Sequence, residues 1–455
     1  MCFRKGAVLA IFLSGVLTAW GQEAASTDVA SDRQEIEELK HRIELLDQRI
    51  QVAEKLKEIK EEEAAAKAKT SASVIATGSD GFHIKSADGN FDLRVGGIIQ
   101  ADGRFYPGDD VPATDNFLLR RIRPDIRGTL FKYVDFRLLP DFGQGTTVLF
   151  DAYLELKYLP RAAIRAGKFK PGVGLERLQS ASDIWFVERG FPTSLVPNRD
   201  VGYQVSGDII KNRFNYSVGA FDGTPDGGNV DGDTSDGKDY VARVFFTPWK
   251  PEDNHLLNGL GFGISGSTGN QTRAALPTFK TSGQNTFASY VSGVAPAGDR
   301  KRFSPQGYFF YGPFGVLGEY VKSEQQLVLN TGPVIDVSNN AWQVAFAYVV
   351  TGEKKSYGGI SPKKNFDPLH NSWGAVELDF RTGAFNVDPA AFTSGLLNPA
   401  KSARSAHEYV GGVNFYLNRN VKIVADYART TFKGGAAEGD RPDEGVVLTR
   451  FQIAF

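Results

Sequence analysis

The run Arg120-Arg121-Ile122-Arg123-Pro124-Asp125-Ile126-Arg127-Gly128 is where the side chains of this sequence most clearly could do chemistry. Read as an extended strand, it places Arg121, Arg123, Asp125 and Arg127 on one face and Ile122, Ile126 and Leu130 on the other. Guanidinium groups then climb one wall at about 6.6 Å per two-residue step. Arginine keeps its charge under all ordinary conditions and presents a fork of donors suited to phosphate-like oxygens. A row of such forks can pass an anion from partner to partner without stripping it of all partners at once. The competing reading is a solubilising or internally paired row, because Asp125, Asp135 and Asp141 lie nearby in sequence. A second basic group follows at Arg161, Arg165, Lys168 and Lys170. Arg121, Arg123, Arg127, Arg165, Lys168 and Lys170 are therefore the candidates for an anion path.

Pro171 opens a connection running to Val201, and about 30 residues is long for a link between strands. Its apolar members Leu178, Ile184, Trp185, Phe186, Val187 and Phe191 predict packing rather than a waving surface loop. Folded inward, it would form a constriction, with Glu176, Arg177, Glu188, Arg189 and Arg199 as its charged candidates; a lid or a subunit-contact loop is the alternative. Signals for an enzyme are weak. His41, His83, His255, His370 and His407 have no metal-ligand spacing, and no hydrolase triad is marked. Gly227-Gly228 and Gly434-Gly435 sit in polar turns rather than between a strand and a helix as a phosphate-binding loop requires. The reading is non-enzymatic, with no cofactor and no metal.

Strands must position these groups. In the last segment Phe451, Ile453 and Phe455 share one face, while Arg450 and Gln452 share the other. The same period-2 pattern runs through 91–105, 147–158, 342–350, 373–381 and 421–429, separated by Gly/Asp/Asn/Pro turns. Outside the leader, no segment approaches the run of about 18 apolar residues that a membrane helix needs. Closed sheets are the other structure that satisfies the backbone inside lipid. Faces of four or five apolar residues opposite Arg, Lys, Asp and Glu favour lipid outside and a wet lumen inside over a soluble sandwich. We therefore expect an all-β transmembrane barrel of about 16 antiparallel strands over 81–455. Phe91, Leu93, Phe150, Leu154, Val344, Phe346, Val376 and Phe380 should face lipid. Region 259–340 leaves room for one hairpin more or less.

Residues 1–21 read as a secretory signal peptide: Arg4 and Lys5, an apolar core from Ala7 to Leu17, and Ala19-Trp20-Gly21 as the cleavage site. The whole chain carries 52 basic and 53 acidic residues. Losing Arg4 and Lys5 leaves it mildly acidic, so global charge gives no reason to expect nucleic-acid binding. Any anion preference must come from where the basic groups sit. Between 31 and 60, Ile36, Leu39, Ile43, Leu46 and Ile50 are spaced three and four apart, as the seam of a coiled coil would be. This predicts an N-terminal α-helical coiled coil followed by a linker over 61–80.

Two stretches, FLLRRIRPDIRG over 117–128 and AIRAGKFKPGVGLE over 163–176, together with the terminal Phe455, resemble the phosphate-selective porin O and P family; the likeness runs from about Gly81 to Phe455. The resemblance implies a 16-stranded bacterial outer-membrane barrel, usually a homotrimer, that passes small anions down an arginine-lined path toward a constriction. Arg121, Arg123 and Arg127 match the arginine-rich strand, and Lys168 and Lys170 match the Gly-Lys-Phe-Lys-Pro segment. The coiled coil would then be a periplasmic stalk. Passive diffusion of anions, phosphate or polyphosphate among them, is the leading expectation. A structural envelope protein anchoring the coil against peptidoglycan or a periplasmic partner is the alternative.

Overall fold

The computed structural model describes residues 28–71, 74–78, 81–108, 113–232, 235–250, 256–272 and 274–455. The leader expected at 1–21 lies outside the described residues. The chain divides into two compact units, one ending at Ser71 and one beginning at Ala72.

The described residues of the first unit form a single 44-residue helix, Asp28–Ser71. Its expected seam is open: Ile36, Leu39, Ile43, Leu46 and Ile50 are between 50% and 65% exposed. Among the described residues no second helix covers them, so the coiled coil, and the periplasmic stalk built on it, are corrected to a lone helix. The physical reason lies in what supports the helix. Glu, Lys, Ala and Leu are strong helix formers, and Lys40–Glu37, Arg42–Glu38 and Lys57–Glu61 lie three or four residues apart. Length and local pairs hold such a helix, whereas the ladder breaks register at Leu56 and Ile59 and those two side chains are exposed as well. The helix also continues to Ser71, and Val74–Gly78 is a strand, so much of the 61–80 segment is regular structure rather than linker.

In the second unit each strand pairs antiparallel with the next. The wall runs Phe91–Phe105, Asn116–Leu130, Val134–Asp141, Val148–Leu159, Ala162–Phe169, Asp200–Ile210, Phe214–Phe221, Asp239–Phe246, Leu260–Thr272, Val294–Tyr311, Phe314–Leu329, Val334–Val349, Ala375–Asn386, Ala403–Tyr416, Val421–Gly434 and Glu444–Ala454. The last strand pairs with the first, Ala454 opposite Ile98 and Val447 opposite Phe105, and this closes a barrel. Sixteen of the 18 strands in the sheet form this ring. The other two, Val74–Gly78 and Gly81–Lys85, make a hairpin that pairs with Asp92–Val95 of the first strand and continues the line of the last. Gly81 enters that hairpin at φ 103°, where an added Cβ would stand 2.3 Å from the Val95 carbonyl oxygen. Only glycine fits there.

Alternation sets the two faces. Leu154, Phe346, Phe380 and Phe451 are exposed on the outside, while Gln100, Glu377, Arg381 and Arg450 are buried inside. Phe91 is likewise exposed, and Leu93, Val344 and Val376 are half-buried. Phe150 departs from the expectation. The ladder goes from Leu139 opposite Asp151 to Pro140 opposite Leu149 and leaves Phe150 unpaired. Its ring lies under Arg123 and Arg199 at 4.0 and 4.7 Å, on the inner face. Proline has no N–H to give the ladder, and such a site is where a bulge is tolerated.

The region 259–340 contributes full wall strands plus a short ribbon, Thr278–Lys280 with Thr286–Ser289, that leaves the wall. Its Phe279 and Phe287 pack with Phe191, Phe385 and Phe432 in a buried cluster. At the end away from the C-terminus, the barrel interior therefore contains an apolar core.

Candidate functional site

The arginine strand is less regular than plain alternation predicts. Gln100 pairs with Arg121, but Ala101 pairs with Leu119, so Arg120 is a bulge residue. Arg120 and Arg121 consequently both reach inner-face partners, Glu188 and Gln100 respectively. Arg120 was missed by alternation because one extra residue inverts the parity. Most of the neighbouring cations carry an acid. Arg123 donates to Asp141 at 2.7 Å, Arg137 to Asp125 at 2.8 Å, and Arg199 to Asp151 at 2.9 Å. Arg165 donates to Glu155 at 2.6 Å, and Arg450 grips Asp102 through two bonds of 2.7 and 2.6 Å. Arg127 is looser, 3.9 Å from Asp125 and partly exposed. The row read from sequence is thus substantially a paired row.

The 170–199 connection folds into the barrel. Ile184, Trp185, Phe186, Val187, Leu195 and Val196 are buried. Wall side chains hold the backbone on several sides. Leu175 N–H donates to Glu319 at 2.6 Å, Val187 N–H to Asp426 at 2.6 Å, and Asn414 donates to the Trp185 carbonyl at 2.7 Å. Lys422 donates to the Ile184 carbonyl at 2.9 Å and Gln100 to the Ala181 carbonyl at 3.1 Å. Three of its cations bind carbonyl oxygens rather than carboxylates. Lys170 donates to Leu178 and Gln179, Arg189 to Glu176 and Gln179, and Arg177 to Thr193, with a further bond from Arg177 to the Asn198 side-chain oxygen. Burial, together with Arg199 and Arg189, holds the Lys170 ammonium well below the ordinary lysine range. Burial alone would raise the Glu188 carboxyl, but Arg120, Arg121 and Arg450 outweigh it and hold that group well below the usual carboxylate range. Glu176 takes a different part, accepting from Gly190 N–H and Gln343 at 2.9 Å each.

A second segment, 350–374, reaches the same loop from the C-terminal end of the barrel. Tyr357 donates its hydroxyl to the Leu175 carbonyl at 2.6 Å, and Gln179 donates to the Tyr357 carbonyl at 2.8 Å. Lys355 pairs with Glu377 and sits 4.2 Å over the Trp185 ring. Nothing in the local pattern of 350–374 announces this; the contact exists only once the barrel brings together residues 178 and 182 positions apart.

Below the loop, at the C-terminal end, lies a cavity of about 1200 Å³. Eleven of its lining residues are Arg or Lys and four are Asp or Glu, so its wall is strongly basic although the whole chain has a formal charge of −1. Of the residues singled out from sequence, Arg123, Arg127, Arg165, Lys170 and Arg199 line this cavity. Arg121 lies on the inner face above it, against Gln100. Lys168 shares a strand face with Ile164 instead of Arg165, and pairs with Asp231 of the 222–238 connection. Arg177, Glu176, Glu188 and Arg189 lie in the loop that roofs the cavity. The sequence reading missed Arg137, Arg243, Lys354, Lys363, Arg419 and Lys422, which complete the basic wall from other strands, turns and the 350–374 segment. Single inward arginines on separate strands leave no local signal beyond the polar face itself.

The family described as phosphate-selective porin O and P matches residues 93–455. Porin O of Pseudomonas aeruginosa is 25% identical over 415 residues, covering 84% of this chain and 93% of that protein. Among solved structures, the anion-selective porin from Comamonas acidovorans has a TM-score of 0.51 at 14% identity, covering 80% of this chain and 100% of its own. The outer-membrane channel DcaP of Acinetobacter baumannii has a TM-score of 0.52 at 10% identity, covering 82% of this chain and 99% of its own. OprB of Pseudomonas putida has a TM-score of 0.52 at 13% identity, covering 84% and 100%. These structures share the fold. The closed barrel and the match over most of the chain agree: the chain belongs to the phosphate-selective porin O and P family, a family of outer-membrane transport proteins and not of enzymes.

Proposed function

We propose that this chain is a passive outer-membrane channel for small anions, with phosphate and polyphosphate among its solutes and Arg121, Arg123, Arg127, Arg165 and Lys170 along the path. The observation that carries this is the excess of Arg and Lys over Asp and Glu around the 1200 Å³ cavity in a protein of nearly balanced charge. Charges at close quarters in a narrow lumen govern which ions enter, far more than distant net charge does. Guanidinium forks favour the oxygens of phosphate. The 170–199 loop and the 350–374 segment meet across the lumen and narrow the path to a constriction. Sequence motifs shared with the family support a homotrimer in the lipid of the outer membrane.

Reversal potentials in planar bilayers under a salt gradient test the anion preference, and inorganic phosphate added against chloride current tests the solute. Anion-selective current blocked by phosphate at low concentration is the expected result. Cation-selective current would overturn the reading. A semi-native gel before and after heating tests the trimer.

A further inference from the structure

Glu188 stands in an unusual position for an acid of the inward loop. Its carboxylate accepts from Arg120 Nε at 2.6 Å and Arg120 Nη2 at 3.2 Å, and from Arg104 Nη2 at 3.4 Å. Arg121, beside Arg120, has its side-chain bond to the neutral Gln100 at 2.5 Å. Arg450 is nearby but already holds Asp102. Arg104 and Arg120 therefore share one carboxylate with the Arg121 guanidinium beside them, and the buried Nε of Arg104 is left without a partner. The rung keeps a surplus of positive charge with Glu188 in place. It is also open on one side, where Arg120 is 20% exposed.

The backbone at Glu188 is fixed on both sides, and its buried side chain is held only through its carboxylate bonds to Arg104 and Arg120. Val187 N–H is tied to Asp426 at 2.6 Å and Gly190 N–H to Glu176 at 2.9 Å. Arg381 donates to the Glu188 carbonyl at 2.9 Å. Withdrawing the carboxylate turns side-chain bonds and leaves the packed loop in place, and an incoming anion takes over the Arg104 and Arg120 bonds that it gives up.

We propose that Glu188 is a tethered anion of the lumen: it occupies the Arg104–Arg120–Arg121 rung, and a translocating anion exchanges with it. A bare cluster of three arginines would bind a multivalent anion and hold it. Conduction requires binding favourable enough to admit the ion and weak enough to release it. The carboxylate supplies that release by taking the guanidinium groups back as the solute leaves. It sets how tightly the pore holds multivalent anions. This inference rests on the anion-channel reading.

The test is phosphate block of chloride current in planar bilayers with the full-length protein, comparing wild type, Glu188→Gln and Glu188→Asp. Glutamine preserves the size of the side chain and removes its charge; aspartate keeps the charge. We expect Glu188→Gln to lower the half-blocking phosphate concentration by about ten-fold and to reduce current in saturating phosphate. Glu188→Asp should stay within about two-fold of wild type, since it retains the charge. An unchanged or raised half-blocking concentration in Glu188→Gln overturns the proposal, as does an aspartate variant that behaves like glutamine, because geometry and not charge would then be the cause. The wild-type recording separates this from the reading beneath it. Cation-selective wild-type current defeats the channel assignment, whereas anion-selective wild-type current with an unaltered glutamine variant defeats only the role of Glu188.

Discussion

The two halves of the barrel interior are built from the same wall and are filled in opposite ways. Away from the C-terminus, Phe191, Phe279, Phe287, Phe385 and Phe432 pack as a folded core, with Leu195, Val196, Leu396 and Leu397 around them. Toward the C-terminus, the interior is a basic cavity of about 1200 Å³. The ion pairs differ in the same sense. Arg302, fully buried, is saturated by Asp226 at 2.6 Å, Asp239 at 2.8 Å and the Thr224 carbonyl at 3.0 Å. Lys170, Arg177 and Arg189 bind neutral carbonyls, so their charge is not cancelled on the spot. One half holds structure and the other holds field.

The contrast can be broken from the core side first. Phe385→Ala removes a ring from contact with Phe191, Phe279 and Phe287. It should cost about 3–5 kcal/mol, read as a lower denaturant midpoint, and should raise single-channel conductance as the ribbon loosens. Unchanged conductance and midpoint would mean that this cluster does not shape the pore. Arg302→Gln strands two buried carboxylates and should cost about 3–5 kcal/mol while leaving the anion preference within error. A large change in selectivity would show that the saturated pair contributes to the field after all.

From the cavity side, replacing Arg127, Arg165 and Lys170 together by glutamine should leave a folded barrel and lower the anion-to-cation permeability ratio by about ten-fold. An unaltered reversal potential would assign these groups to structure. A finer test uses pH. Lys170 is held below its ordinary value of 10.5 by burial and by Arg199 and Arg189, so it loses its proton earlier than an exposed lysine as pH rises. The neutral amine removes one positive charge, so anion preference should decline as pH rises, at a pH below 10.5. The Lys170→Gln pore should lack that component; an identical pH profile in both would refute the assignment. The smallest effect belongs to the lone helix. Ile43 is 65% exposed, so Ile43→Asp should change stability by no more than about 0.5 kcal/mol, measured by helix melting.

Much of this protein was already settled by its residues in order. Alternation specified strands because the side-chain period of an extended chain is two, and the apolar sets around Leu154, Phe346, Phe380 and Phe451 chose the outer face. The density of Arg121, Arg123 and Arg127 marked an inner wall, and the apolar content of 171–201 marked a connection that packs. Those signals are local, and local chemistry suffices to produce them. The tertiary structure decided what a period cannot express. Bulges at Arg120 and Phe150 inverted two side chains, since one unpaired residue reverses parity. Helical spacing in Ile36–Ile50 stated which face could be covered and not that anything covers it. Whether each arginine is free or cancelled depended on acids such as Asp141, Asp151 and Glu188 arriving from other segments. Electrostatic energy falls with distance in space, not along the chain, so the field of this lumen exists only once the barrel is closed.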